Sequence, residues 1–389
     1  MLTRLWNWFA ESIVARQRNT IPGEGPIAPV EAEAREHQQS RAVPEQRSSH
    51  ELLHVSAMVA LLRRLQAPEV STLFALRGSL PLLAWGGELA RTPDDIDLVL
   101  LAGNSPARGH EALQHALLRS NADGYRFEIV NEVDLWNYTA APGVRYSVVW
   151  QTANQRNWLD FDVAEGEHLP LAPEWMQLSF PDIQQEVTAL CCTPELSLAW
   201  KLRWLLVDTP WDLDDLYDAL LLFRLVKLDS AKLRAAVLDL FRLHETPIAE
   251  LYRYLDRSLL HNGWRGSWRH VPQRLRTLMP SQEAAFTGIA ERLTTVLDGQ
   301  LGLPRAPELP FFQAALATPA DASARLVYAD WLEEQDDPRA ELVRLDSELS
   351  TTAAGNSEQR ARHAALLAQA NAARPGWAAR VCRWVAPQE

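Results

Sequence analysis

The residues best suited to chemistry lie between Phe74 and Leu100, in the stretch FALRGSLPLLAWGGELARTPDDIDLVL. A short apolar strand, FALR, runs into Gly78-Ser79. A helix-like apolar segment follows, and Asp95-Ile96-Asp97 opens a second apolar run. Side chains two apart on a strand share a face, so Asp95 and Asp97 project together while Ile96 turns into the core. Parallel carboxylates repel unless a cation sits between them. Hard oxygen ligands on one face suit Mg²⁺, which takes one or two carboxylates and completes its shell with substrate phosphates. Gly78 lets a phosphate approach the backbone, and Ser79 offers a hydroxyl and an N–H near a helix start. The chemistry this set fits is transfer of a nucleotidyl group from an NTP.

Further residues extend that reading, each with an ordinary structural role beside it. WLDFDVAEG places Asp160 and Asp162 on one strand face, so Asp162 is a third metal carboxylate or a strand-end residue. Lys201, in PELSLAWKLRWLL, can reach a triphosphate as a point charge or snorkel at the surface. In WDLDDLYDALLLF, Asp215 and Asp218 fall three apart on one helix face. They face a cation or begin a solvated helix. From Tyr252 to Arg276 the chain carries six arginines with Trp264 and Trp268 between them. Arginine with aromatics can grip an unpaired RNA, or it is charged surface with tryptophans folded inward.

The elements that must position these residues are legible in outline. Leu2, Leu5, Trp6, Phe9 and Ile13 share one face of an amphipathic helix over residues 1–18. Arg4, Asn7 and Glu11 interrupt its apolar run, so it is expected to dock on protein rather than span a membrane or act as a secretory signal. Residues 19–49 are rich in Pro, Glu, Gln and Ser and read as a flexible linker. A helix is expected from about His50 to Leu65, the strand–turn–helix–strand unit next, then a helix over 109–119. Strands FEIV, RYSVVW and WLDFDV follow between Tyr125 and Val163. Thr193-Pro194 starts a helical region reaching about Leu297. A second linker is expected over 301–310 and a helical part over 311–389.

Composition sets bounds. With 389 residues and 47% hydrophobic side chains the chain has material for two or three domains. Its net charge of −12 argues against coating nucleic acid non-specifically, since that binding is mostly phosphate neutralisation. A local grip on one RNA is compatible with it. Three cysteines, two of them adjacent, fit a reducing cytoplasm, and no zinc-type Cys/His spacing occurs along the chain.

The ordered set resembles the AbiEii/AbiGii-type nucleotidyltransferases, which include toxins of bacterial toxin–antitoxin and phage abortive-infection systems. Arg77-Gly78-Ser79, then Arg91-Thr92-Pro93-Asp94-Asp95-Ile96-Asp97, then Gly143-Val144-Arg145 follow the family order. So do Asp162-Val163-Ala164-Glu165-Gly166-Glu167, Trp200-Lys201 and Asp214-Asp215-Leu216-Tyr217-Asp218, over about residues 50–230. Ser79-Leu80 stand where the family has Gly-Thr, Trp200 where it has glutamate, and Asp214 where it has a basic residue. The resemblance implies an α/β, polymerase-β-like core with a mixed sheet over 50–230 and a helical extension over 231–300. It implies Mg²⁺ on Asp95 and Asp97, with Asp162 as the third metal carboxylate or as support behind the ligands, and phosphates cradled by Gly78 and Ser79, with Arg91 also binding nucleotide. Lys201 would contact the triphosphate and Asp215 would complete the site. The implied acceptor is a tRNA 3′ end or a protein hydroxyl, and the implied partner a cognate antitoxin.

The C-terminal stretch resembles the short bacterial repeat-companion domain in Arg325 to Glu334, RLVYADWLEE, and in Asp337-Pro338-Arg339-Ala340-Glu341. That resemblance implies an interaction module without activity of its own. Two readings stay beside the transferase: a catalytically idle NTP sensor or scaffold acting through the companion domain, and a small-molecule adenylyltransferase. An assembly protein held at a membrane by residues 1–18 is a third.

Overall fold

The computed structural model describes residues 47–119, 123–135, 141–208, 211–256, 259, 264–265, 275–276, 278–317, 322–352 and 356–384. The helix expected over residues 1–18 and most of the first linker lie outside these residues, as does most of the basic, aromatic stretch after Tyr252.

The first described helix, α1 (Ser49–Arg64), begins at a capping box. Ser48 Oγ accepts the Glu51 N–H, and the Glu51 carboxylate accepts the Ser48 N–H at 2.8 Å, which satisfies two of the donors a helix start leaves open. Strand β1 (Phe74–Arg77) is buried along its whole length and turns at Gly78 into helix α2 (Ser79–Gly86). Strand β2 (Asp95–Leu100), helix α3 (Pro106–Leu118) and strands β3 (Arg126–Leu135), β4 (Gly143–Gln151) and β5 (Arg156–Glu165) follow. A hairpin of β6 (Glu174–Phe180) and β7 (Gln185–Cys191) completes one mixed sheet of seven strands, ordered β3-β4-β5-β2-β1-β7-β6. β2 pairs parallel with β5, and β1 parallel with β7; the other pairs are antiparallel.

Alternation along these strands separates two faces. Ile96, Leu98, Tyr146, Val148, Phe161 and Val163 point one way and are all buried. The other face carries Asp95, Asp97, Asp160, Asp162 and Arg145.

The helical half begins at α4 (Pro194–Val207), where Thr193 Oγ1 caps the Leu196 N–H and Pro194 occupies the first turn. Proline is suited there because that N–H has no helical partner. Helices α5 (Leu213–Leu225) and α6 (Ser230–Leu243) pack on α4. The short helix α7 (Tyr252–Leu255) and α8 (Gln282–Leu297) follow. Two-residue strands at Trp211–Asp212 and Trp264–Arg265 pair in parallel. Among the described residues no helix is long and apolar enough to cross a membrane.

Among the described residues five α-helices follow: α9 (Leu309–Ala317), α10 (Ala322–Glu334), α11 (Arg339–Thr352), α12 (Ser357–Ala373) and α13 (Ala378–Val381). The signature residues of α10 and α11 build a buried polar knot. Glu308, 1% exposed, accepts from Arg339 at 2.7 Å, from Arg374 at 3.0 Å and from the Tyr328 hydroxyl. The Trp377 indole N–H donates to that same hydroxyl at 3.0 Å. Tyr328 and Trp331, three apart, stack with centroids 6.5 Å apart. The segment 301–310 contributes Glu308 to this knot and buries Leu303 and Leu309, while Arg305, Pro307 and Pro310 are exposed. A buried ion pair that loses one member leaves an uncompensated charge. Arg339→Ala is therefore expected to lower stability by about 3 kcal/mol, the lower end of the usual range because Arg374 still faces Glu308. Urea unfolding checks this; a change below about 0.5 kcal/mol, as at an ordinary surface site, refutes it.

Candidate active site

Strand register brings the acids together. Asp97 on β2 stands opposite Arg77 on β1 and opposite Asp162 on β5, while Asp95 pairs with Asp160. Asp95, Asp97 and Asp162 each offer a carboxylate oxygen within 4.8 Å of the others.

Burial and mutual repulsion mark this cluster. Desolvation, then the charges of Asp97 and Asp162, push Asp95 up to about 8, with Arg145 and Arg91 opposing. Burial raises Asp162 as well, against the pull of Arg145. The cation that holds the acids here is Arg145 of β4. Its guanidinium donates twice to Asp162, both at 2.6 Å. It also lies 3.4 Å from Asp160 and 3.6 Å from Asp95. The Ser147 hydroxyl donates to Asp160 at 3.0 Å.

Gly78 is fitted to this site by its lack of a side chain. It has φ +77°, and a Cβ there would fall 2.0 Å from Asp97 Oδ2 and 2.7 Å from Asp97 Cγ. Next to it Ser79 is 3% exposed, and its hydroxyl has no hydrogen-bond partner among the described residues. Buried hydroxyls normally find partners. Three converging carboxylates with a Cβ-free turn against one of them, followed in the chain by an orphaned hydroxyl, are a donor set that suits a divalent cation and a phosphate.

Lys201 and Asp215 form a second buried cluster. Lys201 Nζ is 2.7 Å from Asp215 and 3.0 Å from Asp218. Arg91 also binds Asp218, with Nε and Nη2 at 3.2 Å, and lies 3.6 Å from Asp214. Burial alone would lower Lys201, but Asp215 and Asp218 outweigh it and hold the ammonium charged. Asp218, only 1% exposed, is depressed because Arg91 and Lys201 overcome its burial. Arg91 connects the clusters electrostatically, since its charge also acts on Asp95.

Thus Asp95, Asp97 and Asp162 meet, with Gly78 against Asp97 and Ser79 the next residue along the chain, while Lys201, Asp215 and Arg91 meet at Asp218. Asp218, read from the sequence as facing a cation, does so here, and two residues outside the expected site set, Arg145 and Glu167, have charges that act on the site's acids. Glu167 pairs with the buried Arg77, whose guanidinium lies 5.4 Å from the Trp200 ring centroid. Asp218 carried a signal, since it is surrounded by Tyr217, Ala219 and Leu220 in a run that had to be buried. Arg145 carried none beyond its motif, because its partners are set by strand register.

One more ligand-like group forms across long range, from Asp346, His363 and Cys382 within 4.8 Å. Its carboxylate is already engaged, accepting the Arg383 and Trp384 backbone N–H groups at 2.9 and 3.0 Å, and it holds those two residues in place.

Comparison with known proteins identifies a family and some distant structural likenesses. A family model described as the nucleotidyl transferase AbiEii toxin of a type IV toxin–antitoxin system matches residues 60–297. No curated protein matches the chain. Among solved structures, JHP933 from Helicobacter pylori is 16% identical, covering 64% of this chain and 93% of that one, with a TM-score of 0.36. An antigenic nucleotidyltransferase-like protein from Paracoccidioides brasiliensis is 18% identical, covering 53% of this chain and 94% of its own, with a TM-score of 0.31.

Proposed function

Because the chain belongs to the AbiEii nucleotidyl transferase toxin family, and is accordingly a nucleotidyltransferase, we propose that it moves a nucleotidyl group from an NTP to the hydroxyl of a macromolecular acceptor, an RNA 3′ end or a protein side chain. The observation that carries the proposal is the convergence of Asp95, Asp97 and Asp162 beside a Cβ-free turn and an unpartnered serine.

Asp95, Asp97 and Asp162 would hold the divalent metal, proposed as Mg²⁺. When bound, that ion neutralises phosphate charge and favours the deprotonated acceptor oxygen. Gly78 admits a phosphate against the backbone, and Ser79 donates its free hydroxyl to it. Arg91 and Lys201, fixed by Asp218 and Asp215, supply positive potential for the triphosphate. Arg145 holds Asp162 in place through its two hydrogen bonds. The acceptor oxygen forms a bond to the α-phosphorus as the bond from that phosphorus to the bridging oxygen breaks. Pyrophosphate leaves with the electron pair, and a site carboxylate or solvent takes the hydroxyl proton. Rate enhancement comes from positioning and electrostatics rather than a covalent enzyme intermediate.

The biological setting is proposed to be a cytoplasmic toxin held in check by an antitoxin, in a toxin–antitoxin or phage-defence role. Residues 311–389 are proposed as a repeat-companion interaction module, with 50–230 as the transferase core and 231–300 as its extension. The test incubates the purified full chain with each α-labelled NTP, Mg²⁺ and total bacterial RNA. Label is expected to move to RNA or protein, to stop with excess EDTA, and to return when Mg²⁺ is restored. Transfer that persists in the chelator refutes the metal assignment, and no labelled product from any NTP refutes the transferase reading.

A further inference from the structure

The sheet face that carries the acids continues beyond them, and its next residue along β5 is an exposed tryptophan. Register sorts this face into rows. Asp97, Asp162, Arg145 and Val133 form one row, and Asp95, Asp160, Ser147 and Asn131 the next. The third row contains Trp158 of β5, Val149 of β4 and Glu128 of β3. Trp158, Asp160 and Asp162 alternate onto the same face, about 7 Å apart along the strand.

Trp158 is 55% exposed, whereas its neighbour Leu159, on the opposite face, is buried. A tryptophan in a strand beside a core normally hides its ring. Pairing with Val149 sets this one on the acid-bearing face. Its backbone N–H donates to Asn157 Oδ1 at 2.8 Å, and the Asn157 amide lies 2.8 Å from His50 Nε2 at the start of α1. Val149, 9% exposed, packs the row beside it.

The side of the site on which the ring stands selects its ligand. On the reading above, the NTP phosphates lie at Gly78 and Ser79, next to β1. β5 borders β2 on the opposite side from β1. An attacking oxygen must approach the α-phosphorus opposite the leaving pyrophosphate, so the acceptor enters over β5 and β4. We propose that Trp158 is the acceptor-binding platform, on which the unpaired terminal base of a nucleic-acid acceptor stacks with its ribose hydroxyl over Asp95 and Asp160. Base–aromatic stacking is neutral and tolerates any base, which suits a sheet face whose neighbouring side chains are carboxylates and a chain whose net charge is −12. A protein acceptor could use the same indole face only if an aromatic or cationic side chain happened to flank its hydroxyl, whereas every nucleic-acid end carries a base. This inference names the substrate class of the proposed transferase and rests on that reading for the donor side.

The experiment measures binding and transfer separately. Fluorescence anisotropy of a labelled six-nucleotide single-stranded RNA is recorded with the full chain in Mg²⁺, for wild type, Trp158→Ala and Trp158→Phe. A fluorescent NTP analogue is titrated in parallel. Trp158→Ala is expected to weaken RNA binding about tenfold, the scale of one lost base stack. Trp158→Phe should retain most of the affinity, and NTP binding should not change in either variant. Equal RNA affinity in wild type and Trp158→Ala overturns the proposal. So does a loss confined to the NTP analogue, which would put the donor base on the ring. Binding is read without turnover, so failure of the transfer reaction bears on the transferase reading and leaves the platform to be judged by its own titration.

Discussion

Gly78→Ala is expected to reduce nucleotidyl transfer at least a hundredfold in a protein that still folds. Two physical effects act at this position. The backbone sits at φ +77°, ψ −150°, a region that only glycine enters without strain, and a side chain there costs about 1–3 kcal/mol. The added Cβ would also fall 2.0 Å from Asp97 Oδ2, 2.7 Å from Cγ and 2.9 Å from Cβ. Rotating the carboxylate relieves only the first contact, so either Asp97 or the turn must move. Displacements of about 1 Å in a positioned group can cost a hundredfold in rate. A double-mutant cycle with Asp97→Ala isolates the clash, because sites in contact do not add. The stability loss from Gly78→Ala should be smaller in the Asp97→Ala background by the clash contribution. Equal losses in both backgrounds, together with near-normal transfer by Gly78→Ala alone, contradict the account.

The pairing of Asp95 with Asp97 was readable because it is local: a two-residue period inside an apolar strand leaves no other arrangement. The Thr193-Pro194 helix start was legible for the same reason, since a cap and a first-turn proline act within one turn. The β6–β7 hairpin carried a weaker signal. Its strands EWMQLSF and QEVTALC alternate polar and apolar residues, but the turn at Pro181–Ile183 runs through Gln184 in a left-handed conformation, with no glycine there to mark it. The role of Arg145 lay beyond local reasoning. Whether it meets Asp162 or solvent depends on β4 pairing with β5 in one register, a contact 17 residues away along the chain. Arg91 and Lys201 illustrate the same limit. Each was read as a phosphate contact, and the structure ties both to Asp218, the one acid of the Asp214–Asp218 segment that α5 turns fully inward. Their positive charges are thereby fixed in place before any ligand arrives, which is how electrostatic preorganisation works. The cluster thus supports the proposed role through Asp218, which fixes both cations at once.

Asp95→Asn should separate stability from activity in opposite directions. The carboxylate is destabilised in the folded protein by burial and by Asp97 and Asp162, and Arg145 offsets this only in part. An acid whose folded pKa is raised binds its proton more tightly folded than unfolded. Its contribution to stability is therefore present below the unfolded value and is lost as pH rises through the folded one. With Asp95 raised from 3.8 to about 8, metal-free protein is expected to lose stability progressively between those values. Asparagine keeps the shape and removes the charge, so the variant should melt higher than wild type at pH 8 in EDTA and show a flatter profile across that range. Transfer, by contrast, should fall by roughly a thousandfold, because removing one preorganised electrostatic group from such a site costs on the order of 10²–10³. Adding Mg²⁺ should raise the melting temperature of wild type and leave the variant nearly unmoved, since a ligand stabilises only the state that binds it. A purely structural aspartate gives the reverse pattern: the variant melts lower in EDTA, transfer falls only with the folded fraction, and Mg²⁺ shifts both proteins alike. Thermal melts at pH 5 and pH 8, with and without Mg²⁺, distinguish the two roles even before an acceptor is known.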